Sequence, residues 1–424
     1  MNSLLVSKKA LFQYTLLYLL YISTGSVFYH YNSGFFINLI LVISALVFFR
    51  RKQLPPTKLL LGWGVIGFGM FFSRFLNSGG LGIQAFLPIL SSSIIVYTVY
   101  MIEPEKAIDR YIKLTYTLAI ISIICWLMGL VAPELLRSLL IGNTDMFKGT
   151  QGSFIYSFRY ASFAEGDLRN NGIFSEPGRY QIVLNTAIYF LLFAKNGINC
   201  TEKERMKYLI VLGVTLLTTQ STTGYGGCAV CILAYLLMYN DKTKKQIVRL
   251  IVILGIIVFI DFSIRGNDSL LYSAVLSKVF TETGQFDLAA DSGVWRMNGI
   301  INYLAIIKDY PLGCGDNYVN LFWTYSGGLS SAGTGMLVFT AATGLISLFG
   351  VLMVYIWPMI EKKVKLMPFL VYIFLFINTT NAQANIMYGC IMCIAVFTPC
   401  LSFEMNSISK EGEDYYENRD SYLS

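Results

Sequence analysis

The stretch RNNGIFSEPGRYQIVLNTAIYFLLFA, residues 169–194, joins a charged segment directly to an apolar run. Pro177 suits the first turn of a helix, because the N–H that proline lacks would be unpaired there in any case. Ser175 or Glu176 then becomes the N-cap residue. The stretch therefore predicts a helix that begins at Pro177, continues to about residue 194 and is apolar enough to enter a membrane.

The rest of the chain has the same apolar character. The 424 residues are 55% hydrophobic and 13% charged, whereas soluble domains average about 25% charged residues. Because this deficit extends along the whole length, we expect an all-α polytopic integral membrane protein with a single membrane domain over residues 1–424. Runs of roughly 20 apolar residues mark membrane-crossing helices. About twelve spans are predicted, near residues 10–29, 34–49, 58–76, 82–100, 113–131, 177–194, 207–220, 222–239, 247–262, 333–357, 366–381 and 384–402.

The distribution of positive charge gives this map an orientation. If both termini are cytoplasmic, 22 of the 32 lysines and arginines fall on the cytoplasmic side, as the positive-inside rule requires. Only two connections on the outer side are long, residues 132–176 and 263–332. The acidic segment 403–424 is then a cytoplasmic tail that is expected to be disordered.

The two sides also differ in the type of positive charge. Lysine outnumbers arginine 16 to 6 on the predicted cytoplasmic side, whereas arginine outnumbers lysine 7 to 3 on the outer side. Topology needs only positive charge, which lysine supplies. A preference for arginine indicates use of its planar guanidinium, which grips phosphate or carboxylate with two hydrogen bonds.

The first outer loop ends in a candidate anion site. Arg169 and Arg179 flank the predicted N-terminus of the helix at Pro177, and a helix N-terminus itself favours anions. The functional interpretation is a phosphate or pyrophosphate site in which Glu176 orients an arginine or accepts a proton. The alternative is a structural salt bridge between Glu176 and Arg179, three residues apart, that fixes the entrance of the helix.

The second outer loop contains GVWRMNGIINYLAIIKDYPLGCGDNY, residues 293–318. The spacing of its apolar residues predicts an amphipathic helix near 294–308 on the outer surface. Arg296 and Trp295 stand near its start, where they suit either a substrate site or an interfacial anchor. Gly313 and Gly315 then permit a tight turn.

Other chemistries find little support in the sequence. The CxxC pair Cys228/Cys231 lies in an apolar run, as does the second pair near residue 390, and both are expected to be small buried hydrophobes. His30 is the sole histidine, which disfavours Ser-His-Asp hydrolysis. No carboxylate spacing resembles a metal cage, and EGD at 165–167 is only a weak DxD-like pair. Polar turns at 218–227 and 377–385 either cap helices or line a cavity.

Together, the many spans, the two enlarged outer loops, RNNGIFSEPGR at 169–179 and the WR…DYPLGCG segment at 295–315 resemble the O-antigen polymerase (Wzy-type) family. This family stands within the O-antigen polymerase/ligase group. Two departures are evident: STTG at 221–224 has Thr222 where many relatives have arginine, and no clean pair of Arg-x10-Gly motifs is present. The second loop also lacks a ligase-like catalytic histidine, which favours polymerase over ligase.

The resemblance implies a GT-C-like membrane enzyme that acts on the periplasmic side of a bacterial inner membrane. Its substrates would be glycans linked to undecaprenyl pyrophosphate, joined with release of that carrier and without a metal or other cofactor. Membrane lipids surround such a protein, a chain-length regulator and a flippase are candidate partners, and no nucleic acid is expected. The candidate catalytic residues are Glu176, Arg179 and Arg296, and the candidate substrate-binding residues are Arg169, Arg159, Arg265, Trp295 and Tyr160, with Tyr156 and Trp323 as further aromatic residues for stacking on sugars.

Two alternatives remain at this point. An O-antigen ligase would use the same lipid-linked donor with a different acceptor. A polysaccharide flippase or another transporter would also fit twelve spans, but transporters usually show internal repeats and charges within the spans.

Overall fold

The protein is described here from a computed structural model. The structure describes residues 7–23, 25–27, 39, 42–43, 46, 57–77, 97–99, 102–140, 143–144, 150–160, 169–194, 198–240, 242–266, 269, 291–327, 334–361 and 364–382. Within these ranges the chain is mostly helical, and its strands form a single small antiparallel sheet.

The helices in the described ranges are α1 (Lys8–Ser23), α2 (Thr57–Leu76), α3 (Ala107–Val131), α4 (Pro133–Leu139), α5 (Pro177–Phe193), α6 (Glu202–Thr218), α7 (Thr222–Met238), α8 (Lys242–Arg265), α9 (Asp291–Asp309), α10 (Tyr318–Tyr325), α11 (Gly335–Tyr355), α12 (Trp357–Glu361) and α13 (Leu366–Ala382). The strands are β1 (Asn143–Thr144), β2 (Thr150–Gly152) and β3 (Ser157–Arg159), paired in the order β1-β2-β3.

Nine of the twelve predicted spans fall largely on described residues, and a helix covers each of them. The largest differences are at α1, which ends at Ser23 and not near 29, and at α3, which begins at Ala107 and not near 113. The other three, at 34–49, 82–100 and 384–402, lie mostly or wholly outside the described residues, as do His30 and the tail. Within the described residues, four helices are long and apolar enough to cross a membrane: Thr57–Leu76, Ala107–Val131, Lys244–Arg265 and Gly335–Tyr355. The described part of the chain is therefore mostly helical, in agreement with the predicted all-α membrane fold, and adds one small β-sheet to it.

Helix α5 lies at the centre of the bundle. It packs against α3, α6, α7 and α13, and all of its 17 residues are buried except Gly178 and Arg179 in the first turn. Polar side chains of this helix also bond within the bundle: Asn185 Nδ2 donates to Gln181 Oε1 at 2.9 Å and to the Gly224 carbonyl at 3.0 Å. The one partly exposed end of this helix is therefore the end that carries the charged segment.

Helices α2 and α11 pack together through small residues. A Cβ placed on Gly69 would lie 2.4 Å from Ser347 Oγ, and a Cβ on Gly350 would lie 2.7 Å from the Ile66 nitrogen. Small side chains let two helix backbones approach closely, which is a common basis of helix association within membranes.

Helix α11 is interrupted at Gly344, which has φ +84° and ψ 171°. The Pro311–Gly315 turn that follows α9 fills this interruption. In an unbroken helix the Leu345 N–H would bond the Ala341 carbonyl. Instead, Leu345 N–H donates to the Pro311 carbonyl at 2.8 Å, and Cys314 N–H donates to the Ala341 carbonyl at 2.9 Å. The turn thus replaces one helical hydrogen bond with two, and we call this arrangement the α11 splice.

Helix α2 closes the splice from a second side. Ser73 Oγ donates to the Ala342 carbonyl at 2.6 Å and accepts from the Gly315 N–H at 3.1 Å. Asn77 Nδ2 donates to the Gly313 carbonyl at 3.0 Å. The tight turn predicted at Gly313 and Gly315 is confirmed, and both glycines have positive φ, +88° and +61° respectively. The PLGCG segment is therefore a packing device that fixes the C-terminal end of α9 to α2 and α11.

Candidate functional site

The segment before α5 is held along one edge by a short stretch that follows α1. We call residues 25–27 the strap. Ser26 and Phe174 form an antiparallel bridge, and the Ser175 N–H donates to the Gly25 carbonyl at 2.9 Å. Sequence reasoning missed the strap, because no local pattern connects it with a segment so distant in the chain.

Strand β3 holds the other edge of the same segment. The Ser157 N–H donates to the Gly172 carbonyl at 2.7 Å, and its Oγ donates to the Ile173 carbonyl at 3.0 Å. Arg159 Nε donates to the Ser175 carbonyl at 3.2 Å. With both edges bonded, the chain reaches the N-terminus of α5 in one defined conformation.

Asn170 anchors the start of this segment inside the bundle. Its side chain is fully buried. Its backbone N–H donates to the Thr218 carbonyl at 2.9 Å, and its Nδ2 donates to Thr218 Oγ1 at 3.0 Å and to Ser122 Oγ at 3.2 Å. Its Oδ1 accepts from the N–H of Gly172, whose φ is +57° and which packs against the ring of Tyr180. The NNG sequence thus forms a turn that only glycine completes without strain.

Of the two N-cap residues that the sequence allowed, Ser175 and Glu176, the structure has Glu176, and α5 begins at Pro177 as predicted. The Glu176 side chain makes no capping hydrogen bond. The carboxylate instead faces Arg159, with 3.8 Å between Glu176 Oε1 and an Arg159 terminal nitrogen. The ion pair that the structure describes for Glu176 is therefore with Arg159 of the first loop and not with Arg179, three residues further along α5.

Arg179 extends from the first turn of α5 across the strap. Its guanidinium Nη1 lies 1.9 Å from the position that a Cβ on Gly25 would occupy. The side chain is partly exposed. The first turn of α5 is the one turn of this helix that is partly exposed, and it gathers Arg159, Glu176 and Arg179 around it. The Arg159 side chain is 14% exposed.

The other candidate arginines are Arg169, Arg265 and Arg296, and the structure does not describe the side chain of the last of these. Arg169 is half-buried beside Asn170. Arg265 ends α8 and pairs with Asp261 of the same helix, at 3.3 Å between Nε and Oδ1. Trp295 and Arg296 belong to the first turns of α9, but their side chains lie outside the described part of the structure.

The candidate sugar-stacking tyrosines are less available than the sequence suggested. Tyr156 is 2% exposed, so the prediction that it stacks on a sugar is wrong. Tyr160 donates its hydroxyl to Glu134, and the Arg137 guanidinium carbon lies 4.5 Å from its ring centroid. The hydrogen bond to the Glu134 carboxylate raises the pKa of the Tyr160 hydroxyl. Arg137 covers one face of the ring, which leaves at most the other face for a sugar.

Helix α9 confirms the predicted helix near 294–308 and is longer at both ends. Its face towards α11 carries Tyr303 and Ile306, which are buried. Met297, Ile301 and Leu304 are 57%, 59% and 50% exposed and recur at helical spacing. The predicted apolar stripe is thus largely on the exposed face, as expected for a helix lying on a membrane surface.

Among the described residues, no group of three or more His, Cys, Asp or Glu side chains could hold a metal ion. Cys228 and Cys231 are free thiols on α7, half-buried and buried respectively. The interpretation of this CxxC pair as apolar packing is confirmed. The second pair, near residue 390, lies beyond the described part of the chain, as does EGD at 165–167.

Cys314, inside the α11 splice, provides a test of that packing. Its thiol is buried against the Ala341 carbonyl, and burial raises its pKa to about 11. Below that pKa the thiol stays protonated, so about one thiol in 10³ is ionised at pH 8. We expect iodoacetamide at pH 8 to leave Cys314 unmodified in the folded protein and to modify it after denaturation in SDS, as peptide mass spectrometry would report. Equal modification rates in the two states would contradict the buried placement.

Comparison with known families supports the resemblance seen in the sequence. Residues 208–337 match the Wzy_C family model, described as O-antigen ligase. The matched region begins in α6, contains α7 to α10 and the turn of the α11 splice, and ends early in α11. It does not include the Arg159–Glu176–Arg179 cluster. No curated protein matched the chain.

Proposed function

We propose, from this match to the O-antigen polymerase/ligase group, that the chain is an O-antigen polymerase. It transfers a growing glycan from undecaprenyl pyrophosphate to a hydroxyl on the terminal sugar of a lipid-linked repeat unit. A bond forms between the acceptor oxygen and the anomeric carbon of the donor, and the bond from that carbon to the pyrophosphate oxygen breaks. The hydroxyl proton is released, and undecaprenyl pyrophosphate leaves.

The observation that carries this proposal is the arginine cluster at the start of α5. Arg159 and Arg179 stand beside a helix N-terminus, where the helix dipole adds further positive potential. The pyrophosphate leaving group gains negative charge as its bond to carbon breaks. Fixed guanidinium groups in a poorly hydrated site stabilise that charge in the transition state. Arg169 and Arg296 are the next candidates for this binding site.

We assign Glu176 an orienting role. Its carboxylate faces Arg159, whose Nε is already bonded to the Ser175 carbonyl. Two contacts on one guanidinium fix its plane, and a fixed plane favours bidentate binding of phosphate. Under this assignment Glu176 positions Arg159 and does not itself remove the acceptor proton.

The finer membrane arrangement belongs to the same proposal. Twelve spans with both termini in the cytoplasm of a bacterial cell would place residues 132–176 and 263–332 on the periplasmic side of the inner membrane. A GT-C-like enzyme works on that side, where a flippase delivers lipid-linked units and a chain-length regulator limits the product. The two long loops would then bring their arginines to one surface.

An apolar cavity favours a substrate with a lipid tail. It has a volume of about 250 Å³ and lies between α5, α6, α7 and α8. Its lining is mainly aliphatic, and Ile188, Leu216 and Leu250 are among the residues that form it. Leu217, also in the lining, precedes Thr218, whose carbonyl anchors Asn170. A polyprenyl chain is a hydrocarbon, and an aliphatic cavity suits a segment of it.

O-antigen ligase is the second candidate, because the matching family model carries that description. The sequence has one histidine, His30, which stands outside the second long loop. A ligase-like histidine in that loop is therefore lacking, and this favours the polymerase.

The experiment that separates these functions uses purified protein in lipid vesicles with lipid-linked repeat units. A polymerase lengthens the lipid-linked glycan without any other acceptor, which gel electrophoresis detects as a ladder. A ligase gives product only when lipid A-core is added. In a deletion strain, we expect surface lipopolysaccharide with a single repeat unit. Complete loss of O-antigen from that strain would overturn the polymerase proposal in favour of a ligase or a flippase.

A further inference from the structure

Gly25 has an unusual relation to the side chain of Arg179. Its φ is +123°, a conformation that residues with a Cβ rarely adopt. A Cβ at this position would lie 1.9 Å from Arg179 Nη1 and 2.9 Å from both Arg179 Cδ and Cζ. The Arg179 side chain therefore occupies the space that any other residue at position 25 would fill.

The strap cannot simply move away from Arg179. Its Gly25 carbonyl accepts from the Ser175 N–H at 2.9 Å, and Ser26 bridges Phe174. On its other side, a Cβ on Gly152 would lie 2.7 Å from Val27 Cβ, so the strap is also packed against β2. The surface under Arg179 is thus fixed to the same segment that leads into α5.

A fixed surface under an arginine side chain has a consequence for binding. Ordering an arginine side chain costs free energy, because the side chain loses its rotamer freedom. An arginine that already lies in a defined conformation avoids most of that cost when it meets its ligand. A displacement of about 1 Å at a reacting centre can lower a rate by about 10²-fold.

We propose that Gly25 is a positioning residue for Arg179. Its bare Cα allows the Arg179 side chain to lie across the strap, and this contact sets the direction in which the guanidinium meets a pyrophosphate group. The inference rests on the proposed role of Arg179 in pyrophosphate binding. It adds a residue of the segment after α1, outside both long loops and outside the region matched by the family model.

The test is Gly25→Ala in the full-length protein, with two independent measurements. The first is the rate at which phenylglyoxal modifies Arg179, resolved by peptide mass spectrometry. The second is the rate of glycan lengthening in vesicles. The added methyl group pushes the guanidinium off the strap, so we expect faster modification of Arg179 and lengthening slower by about tenfold to 10²-fold.

Gly327→Ala is the matched control. Gly327 also has a positive φ, +62°, but a Cβ there meets nothing within 4 Å. The control therefore carries a backbone penalty without displacing an arginine, and both measurements should stay at the wild-type level.

The two measurements separate the inference from the function on which it rests. Unchanged modification of Arg179 in folded Gly25→Ala protein would overturn the positioning role. Faster modification with an unchanged lengthening rate would instead overturn the proposed role of Arg179 in the reaction.

A reciprocal measurement covers the case in which Gly25→Ala does not fold. In Arg179→Ala protein the strap loses its cover, so hydrogen exchange in a peptide that contains residues 25–27 should accelerate. Arg137→Ala, which removes an exposed arginine stacked on Tyr160, should leave that peptide unchanged. Equal exchange in wild-type and Arg179→Ala proteins would contradict the contact between Arg179 and the strap.

Discussion

Arg179→Ala is expected to slow glycan lengthening by about 10²–10³-fold, the usual effect of removing one fixed donor that stabilises transition-state charge. The side chain belongs to the only partly exposed turn of an otherwise buried helix, so its loss should leave the bundle folded. Arg179→Lys should lose nearly as much activity, because an ammonium group cannot bind phosphate through two parallel N–H groups. The measurement is the lengthening rate of purified variants in vesicles at saturating lipid-linked substrate.

Arg137→Ala is the control for Arg179→Ala. It removes a positive charge from the loop that leads to α5, and Arg137 is 47% exposed in a surface pair with Glu134. Exposed ion pairs of this kind contribute at most about 1 kcal/mol to stability, so the Arg137→Ala protein should stay folded. Because Arg137 is not assigned to the pyrophosphate site, we expect little change in its lengthening rate. An Arg179→Lys rate equal to that of the wild type would refute bidentate binding and leave simple charge attraction. Full activity in Arg179→Ala would remove Arg179 from the mechanism.

Gly344→Ala is expected to have the largest effect on stability. A Cβ at Gly344 would lie 2.4 Å from the Leu312 carbonyl carbon and 2.5 Å from its oxygen. These are backbone atoms, which cannot rotate away, and the residue has a positive φ that costs an alanine further strain. We expect a loss of about 2–5 kcal/mol in the free energy of unfolding from overpacking and strain together. Thermal unfolding in detergent would measure this loss.

Gly64→Ala in α2 is the companion variant, because a Cβ there meets nothing within 4 Å. Alanine has a higher helix propensity than glycine, so this variant should be neutral or slightly more stable. If Gly344→Ala unfolded at the same temperature as Gly64→Ala, the α11 splice would not hold the turn in place.

Local features of the fold could be predicted from the sequence. The start of α5 at Pro177 followed from the geometry of proline, and the tight turn at Gly313 and Gly315 followed from the two glycines after α9. The positions of the long helices followed from continuous apolar runs, and that of α9 followed from apolar residues at helical spacing. These inferences depend on residues that are neighbours in sequence.

The contacts that shape the candidate site could not be predicted in this way. The partner of Glu176 is Arg159 and not Arg179, which depends on how β3 runs beside the segment before α5. The contact between Gly25 and Arg179 and the insertion of Pro311 at Gly344 join distant parts of the chain. A single sequence carries no periodic signal for such pairs. The burial of Tyr156 could not be predicted for the same reason.

The α11 splice also determines how related proteins can be recombined. The turn after α9 supplies hydrogen-bond partners to the interrupted backbone of α11. The two segments should therefore be exchanged together when a chimera is made from two related proteins. A chimera that takes residues 291–315 from one relative and 335–355 from another would join surfaces that were never selected together. Crossovers placed outside both segments should give folded hybrids, and the specificity of the loop before them could then be transferred intact.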